Sequence, residues 1–193
     1  MSNEQPPSSP APLRRAVFLD RDGVINRALV RDGRPYPPTS LAEFEFLPGV
    51  AEACRRLKSA GFLLVVATNQ PDVGRGTLPQ EIVEALHAHL CRQLPIDRVE
   101  VSYAPGGGEP PDEFRKPRPG MLVRAAEALS IDLKRSFMVG DRWRDIDCGH
   151  AAGCRTVLID YHYDEALRQP PDHRVKDLAE AADWILGAGK TPG

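Results

Sequence analysis

Five short apolar runs, set apart by helical patterns, constrain this chain more than any other feature of its sequence. They fall at residues 16–19 (AVFL), 62–67 (FLLVVA), 99–103 (VEVSY), 137–139 (FMV) and 156–159 (TVLI). Four are near-continuous, the pattern of strands buried on both faces of a parallel sheet. The third alternates, which predicts an edge strand. The segments between them repeat at helical spacing. Residues 48–60 place Val50, Ala53, Cys54 and Leu57 at i, i+3, i+4 and i+7, with Gly61 as a stop. Residues 79–94 carry Ile82, Val83, Leu86 and Leu90, and residues 119–129 carry Leu122, Ala125, Ala126 and Leu129. Pro48, Pro79 and Pro119 stand where a first helical turn accepts a proline. Two further helices are expected at 144–152 and 175–186. The alternation predicts an α/β fold, helices layered on a central parallel sheet of about five strands.

At 193 residues the chain has the size of one domain. Residues 1–12, rich in Pro and Ser, read as a disordered tail, 13–187 as the folded domain and 188–193 as a flexible end. The 25 Lys and Arg nearly balance the 27 Asp and Glu, which argues against a general nucleic-acid binder. No run approaches the ~18–20 apolar residues of a membrane span, and the N-terminus lacks a signal-peptide pattern. Four cysteines, Cys54, Cys91, Cys148 and Cys154, are too sparse for a disulfide scaffold and read as reduced thiols. His87 and His89, two apart on a helix, face different ways and make no metal cluster. The expectation is a cytoplasmic protein, a monomer or weak homo-oligomer, whose partner is a small molecule and neither nucleic acid nor membrane.

Ligands of an open parallel sheet bind at the carboxyl ends of its strands. The first run is followed by Asp20-Arg21-Asp22-Gly23, the second by Thr68-Asn69-Gln70, and the fourth by Gly140-Asp141 with Asp145 just beyond. Arg115-Lys116-Pro117 precedes the helix leading into the fourth strand. Each alone is an ordinary cap, turn or surface charge. Together, carboxylates gathered at one sheet edge would raise one another's pKa unless a cation were present, and Mg²⁺ suits hard oxygen donors. Asp20 and Asp22, two apart on an extended chain, project to the same side. One can bind metal and attack while the other manages protons.

The segments FLDRDGVIN (18–26), TNQPDVGRG (68–76), RKPRPGM (115–121) and MVGDRWRDI (138–146) together resemble the four motifs of the haloacid dehalogenase (HAD) superfamily. More narrowly, they resemble its capless sugar-phosphatase branch, which includes heptose-bisphosphate and histidinol-phosphate phosphatases. The resemblance implies a three-layer Rossmann-like fold. It also implies Mg²⁺-dependent hydrolysis of a small sugar phosphate through an aspartyl-phosphate. Asp20 would be the nucleophile and Asp22 the acid–base group. Thr68 and the Asn69 amide would bind phosphoryl oxygens, and Lys116 would offset charge. The metal would be held by Asp20, the Asp22 carbonyl and Asp141, with Asp145 in support. Gln70, Arg115 and Arg142 would contact the substrate. About forty residues, one helix among them, separate Asp22 from the second strand, too few for a helical cap domain.

One segment departs from that pattern. The heptose-bisphosphate relatives carry Cys and His zinc ligands before the RKP motif, where this chain has Ala104, Gly106, Asp112 and Phe114. No Cys or His occurs between Cys91 and Cys148, and tetrahedral zinc needs such donors, so no zinc is expected. The loop is expected to rely on Pro/Gly stiffness or a partner. A different class, the phospho-accepting receiver domain of signalling proteins, also unites Asp, Thr and Lys on an α/β sheet. The paired DxD argues against it.

Overall fold

Alternate side chains of the first apolar run enter opposite cores. In strand β1 (Ala16–Leu19), Val17 and Leu19 join one buried cluster, Ala16 and Phe18 the other, and all four are inaccessible to solvent. A strand apolar at every position thus serves two hydrophobic layers at once. The computed structural model describes residues 12–31, 34–107 and 112–188. Most of the expected tails, 1–12 and 188–193, lies outside the described residues.

After β1 the chain forms a two-stranded antiparallel hairpin, β2 (Leu29–Arg31) and β3 (Arg34–Tyr36), then helix α1 (Val50–Ser59). Strand β4 (Leu63–Asn69) leads through the short helix α2 (Pro71–Gly74) to α3 (Gln80–Gln93) and strand β5 (Arg98–Ser102). Helix α4 (Gly120–Leu129), strand β6 (Phe137–Gly140), helix α5 (Trp143–Ala152) and strand β7 (Arg155–Ile159) follow. Strand β8 (His173–Val175) and helix α6 (Leu178–Ala188) complete the fold. The main sheet runs β5-β4-β1-β6-β7-β8 with every neighbouring pair parallel.

Helices α1, α3 and α6 supply Leu57, Leu86, Leu90 and Ile185 to one core, and α4 supplies Met121, Leu122 and Ala125 to the other, which also holds Cys148 of α5. Val50, Ala53, Cys54 and Leu57, the stripe read from the sequence, are the buried face of α1. The third apolar run is the edge strand β5, as its alternation predicts. Cys54 and Cys148 are buried free thiols.

The sheet has six strands where the sequence suggests about five. The sixth, β8, has only three residues and one apolar position, so it makes no apolar run; its register on β7 (Val157 with His173, Ile159 with Val175) creates it. Its last residue, Val175, is the first of the segment expected as the last helix. That helix begins at Leu178, where Asp177 Oδ1 accepts the Glu180 amide at 2.9 Å as an N-cap. The prolines also sit earlier than expected: Pro79 and Pro119, one position early, are themselves the N-cap residues, and Pro48, two early, precedes the Gly49 cap.

The chain leaves β1 towards β4 and β5 on one side and fills β6, β7 and β8 on the other. The order therefore reverses beside β1, and the carboxyl end of β1 lies at that switch point. Gly149 brings α5 against this region, since a Cβ there would press on Thr156 Cγ2 at 2.6 Å and Met138 Cβ at 2.8 Å. Gly149→Ala should therefore destabilise the fold despite the ~1 kcal/mol it gains in helix propensity, because overpacking costs about 1–3 kcal/mol. Urea unfolding checks this; a rise in midpoint would contradict the close helix–sheet contact.

Candidate active site

Four motifs meet at the carboxyl ends of β1, β4 and β6. Lys116 is at their centre, almost wholly buried. Its Nζ lies 2.9 Å from Asp20 Oδ1 and 2.6 Å from Asp145 Oδ1, and donates to the Ala67 carbonyl at 2.8 Å. All three ammonium protons thus have partners. Burial works against the Lys116 charge, but Asp145 and Asp20 outweigh it and push its pKa upward. Asn69 fixes the backbone that delivers this lysine: its Nδ2 donates to the Lys116 carbonyl and its Oδ1 accepts the Lys116 amide, both at 3.0 Å.

Oxygens of Asp20, Asp141 and Asp145 lie within 4.8 Å of one another. Burial pushes Asp20 up to about 6 against the pull of Lys116, with Asp145 and Asp22 adding to the rise. Burial, then Asp20 and Asp145, hold Asp141 well above the usual carboxylate range. Both Asp141 oxygens are buried and accept no hydrogen bond of ordinary geometry among the described residues, the Tyr163 hydroxyl being the group set against them. A buried carboxylate so thinly partnered beside two others is a poor arrangement without a cation and a good one around a hard divalent ion. Gly23, at φ +88°, permits it: a Cβ there would overlap the Asp141 carboxylate. Gly140 makes room for Asp145 in the same way. Asp145 Oδ2 also accepts the Arg142 amide at 3.1 Å, capping α5.

Asp22 stands apart from the cluster. Its carboxylate accepts from Asn26 Nδ2 at 2.9 Å, Gln70 Nε2 at 2.8 Å and the Arg21 guanidinium at 2.9–3.2 Å. Burial would raise Asp22, yet the Arg21 charge and these hydrogen bonds hold it below the ordinary carboxylate range. The two aspartates of the DxD pair are thus driven apart in acidity, Asp20 upward and Asp22 downward, so that Asp22 is the more readily ionised before metal and substrate bind.

A cavity of about 260 Å³ opens above these groups, lined by Asp20, Asp22, Thr68, Asn69, Lys116, Asp141 and Asp145 together with Arg115 and Arg142. Gln70 is the exception among the residues expected there. It is buried, its amide donates to Asp22 and to Thr68 Oγ1 at 3.0 Å, and it does not border the cavity. A buried amide needs partners, and these two supply them.

The HAD-hydrolase-like family model matches residues 113–181. The D-glycero-D-manno-heptose-1,7-bisphosphate 7-phosphatase of Thermosynechococcus vestitus is 37% identical over 193 residues, 89% of this chain and 95% of that protein. The D-glycero-beta-D-manno-heptose-1,7-bisphosphate 7-phosphatase of Escherichia coli K12 is 35% identical, covering 90% and 88%. The chain belongs to the HAD-like phosphatases. Among solved structures, the D,D-heptose 1,7-bisphosphate phosphatase from B. bronchiseptica, complexed with magnesium and phosphate, superposes with a TM-score of 0.75 at 28% identity, covering 90% of this chain and 99% of its own.

In this HAD-like phosphatase the cavity rim is basic. Arg75 and Arg144, not singled out from the sequence, line it beside Arg115 and Arg142. Burial, then the Arg144 and Arg75 charges, push the Arg115 pKa down, the mark of cations crowded together. Arg142 is engaged by Glu165, its Nε and Nη2 each at 2.9 Å. The available signal was Arg144 in the first turn of α5, since a cation at a helix N-terminus opposes the helix dipole.

The loop that departs from the zinc-binding pattern is tied by hydrogen bonds. Arg115 Nη1 donates to the Ala104 carbonyl at 2.8 Å, Arg75 Nη2 donates to Pro105 at 3.0 Å, and Asp112 accepts the Phe114 amide at 2.9 Å. Residues 108–111, between them, lie outside the described residues.

Removing Lys116 would leave Asp20 and Asp145 buried without their counter-charge. Lys116→Met should cost about 3–5 kcal/mol, the usual consequence of breaking a buried ion pair from one side. Guanidinium unfolding at neutral pH in EDTA measures it; an unchanged midpoint would show that the lysine does not hold the cluster.

Proposed function

We propose that this protein is a Mg²⁺-dependent phosphatase that removes the 7-phosphate of D-glycero-D-manno-heptose 1,7-bisphosphate, with Asp20 as nucleophile. The observation that carries the reading is the buried set Asp20, Asp141 and Asp145 around Lys116, beneath a cavity that Asp22 and Thr68 also line. The relatives named above, at 37% and 35% identity over most of the chain, support the choice of sugar.

The donor set fits a divalent ion: hard carboxylate oxygens, two of them on Asp141 without a hydrogen bond of ordinary geometry among the described residues. Asp20 and Asp141 would hold it with the Asp22 carbonyl, while Asp145 supports through Lys116. When bound, Mg²⁺ supplies charge neutralisation at the phosphoryl oxygens. Asp20, kept ionised beside Lys116, attacks phosphorus and takes the phosphoryl group as an aspartyl-phosphate, and the sugar alkoxide leaves. Asp22 rests ionised, so it can protonate the leaving oxygen only once the negative charge of the bound phosphate has raised its pKa, and afterwards it takes a proton from the water that hydrolyses the intermediate. The Thr68 hydroxyl and the Asn69 amide bind phosphoryl oxygens. Arg115 and Arg142 receive the far end of the substrate, where a planar guanidinium suits a second phosphate or sugar hydroxyls. Gln70 serves by holding Asp22 and Thr68.

Phosphate release with Mg²⁺ from both anomers of the heptose bisphosphate, against a panel including histidinol phosphate, tests the substrate. The expected product is the heptose 1-phosphate. Asp20→Asn should lose at least ~10³-fold in turnover, and near-normal activity would refute the nucleophile assignment. Saturating Mg²⁺ at a hundred times its Kd should add about 2.7 kcal/mol of stability over EDTA, an increment that Asp141→Asn removes. We also propose that the loop before RKP holds no zinc; elemental analysis finding one equivalent would contradict this.

A further inference from the structure

The middle residue of the DRD segment, Arg21, is completely buried and takes no part in lining the cavity. It lies in the turn after β1 with its guanidinium directed to α3, off the phosphate site. Its Nε and Nη2 grip the Asp22 carboxylate from behind, and its Nη1 lies 3.2 Å from Nε2 of His87 on α3. His87 is itself buried.

A guanidinium carries only donors, so Nε2 of His87 must be the acceptor, and the imidazole must be neutral with its proton on Nδ1. The surroundings agree: burial, then the Arg21 charge, push His87 down to about 4 against the opposing pull of Asp22. The contact spans 66 residues and ties α3 to the turn after β1.

We propose that His87 is a positioning residue for the reaction: by accepting from Arg21 it locks the guanidinium plane that aims the Asp22 carboxylate at the leaving oxygen. Arg21 has freedom about several torsions, and Asp22 alone fixes one edge of its fork. The His87 contact on the opposite edge leaves the plane one orientation. Because neither Arg21 nor His87 borders the cavity, the effect falls on proton transfer and not on ground-state binding.

The inference rests on the phosphatase reading, so turnover of the parent protein is measured first, on heptose bisphosphate and on p-nitrophenyl phosphate with Mg²⁺. His87→Phe fills the site and removes the acceptor, whereas His87→Gln carries Oε1 to the place of Nε2. The expected result is a fall of at least tenfold in kcat for His87→Phe at a KM within twofold of the parent. His87→Gln should recover kcat to within about threefold. A purely space-filling histidine would give the opposite order. Should His87→Phe fail to fold, His87→Asn replaces it, its shorter amide falling short of Arg21. A parent inert to every ester overturns both readings. An active parent with a fully active acceptor-less variant, or with equal losses in the Gln and acceptor-less variants, overturns the positioning role alone.

Discussion

One buried ammonium holds the site together. Lys116 joins Asp20, at the end of β1, to Asp145, in the first turn of α5, and anchors to the carbonyl of Ala67 on β4. Two strands, β1 and β4, and the first turn of α5 are thereby joined by one side chain. Without that charge the acidic cluster would be self-repelling and desolvated, and its members would take up protons. With it, one carboxylate, Asp141, is still left over, its oxygens accepting no hydrogen bond of ordinary geometry among the described residues. The site is consequently balanced for one further positive centre.

The backbone around the cluster is shaped by the same requirement. Gly23 and Gly140 stand where a Cβ would displace Asp141 and Asp145 respectively. The sheet order places β1 and β6 side by side, so the turns that carry Asp20 and Asp141 adjoin. Parallel pairing makes both strands end on the same edge, and the α5 cap reuses Asp145 for local and tertiary purposes at once: one oxygen accepts the Arg142 amide and the other meets Lys116. A cap substitution at this position would therefore disturb the charge network as well as the helix.

What the sequence disclosed follows from the range over which its signals act. The two-faced burial of β1 and β4, the apolar stripe of α1 and the convergence of DxD, TN, RKP and GD at strand ends are local patterns under a topological rule, and they were legible. Features created by distant partners were not. β8 exists because β7 offers it a register, and nothing in His-Arg-Val announces a strand. Gln70 follows Thr-Asn and looks like a substrate contact, yet Asp22, 48 residues away, claims its amide. Arg21 sits between two aspartates, and its burial depends on a histidine in a helix that the sequence shows only as amphipathic.

The loop before Lys116 is held in part by charged side chains. A metal ion fixes a loop through its own bonds, independently of what enters the neighbouring cavity. Here Arg115 and Arg75 hold the carbonyls of Ala104 and Pro105, and both arginines also border the cavity. Gly106 fits the same arrangement, since a Cβ there would press on the Arg115 guanidinium at 3.1–3.3 Å. The shape of the loop and the positive charge of the rim are consequently properties of the same two side chains. A change at either position therefore alters both the charge of the rim and the loop that frames the site.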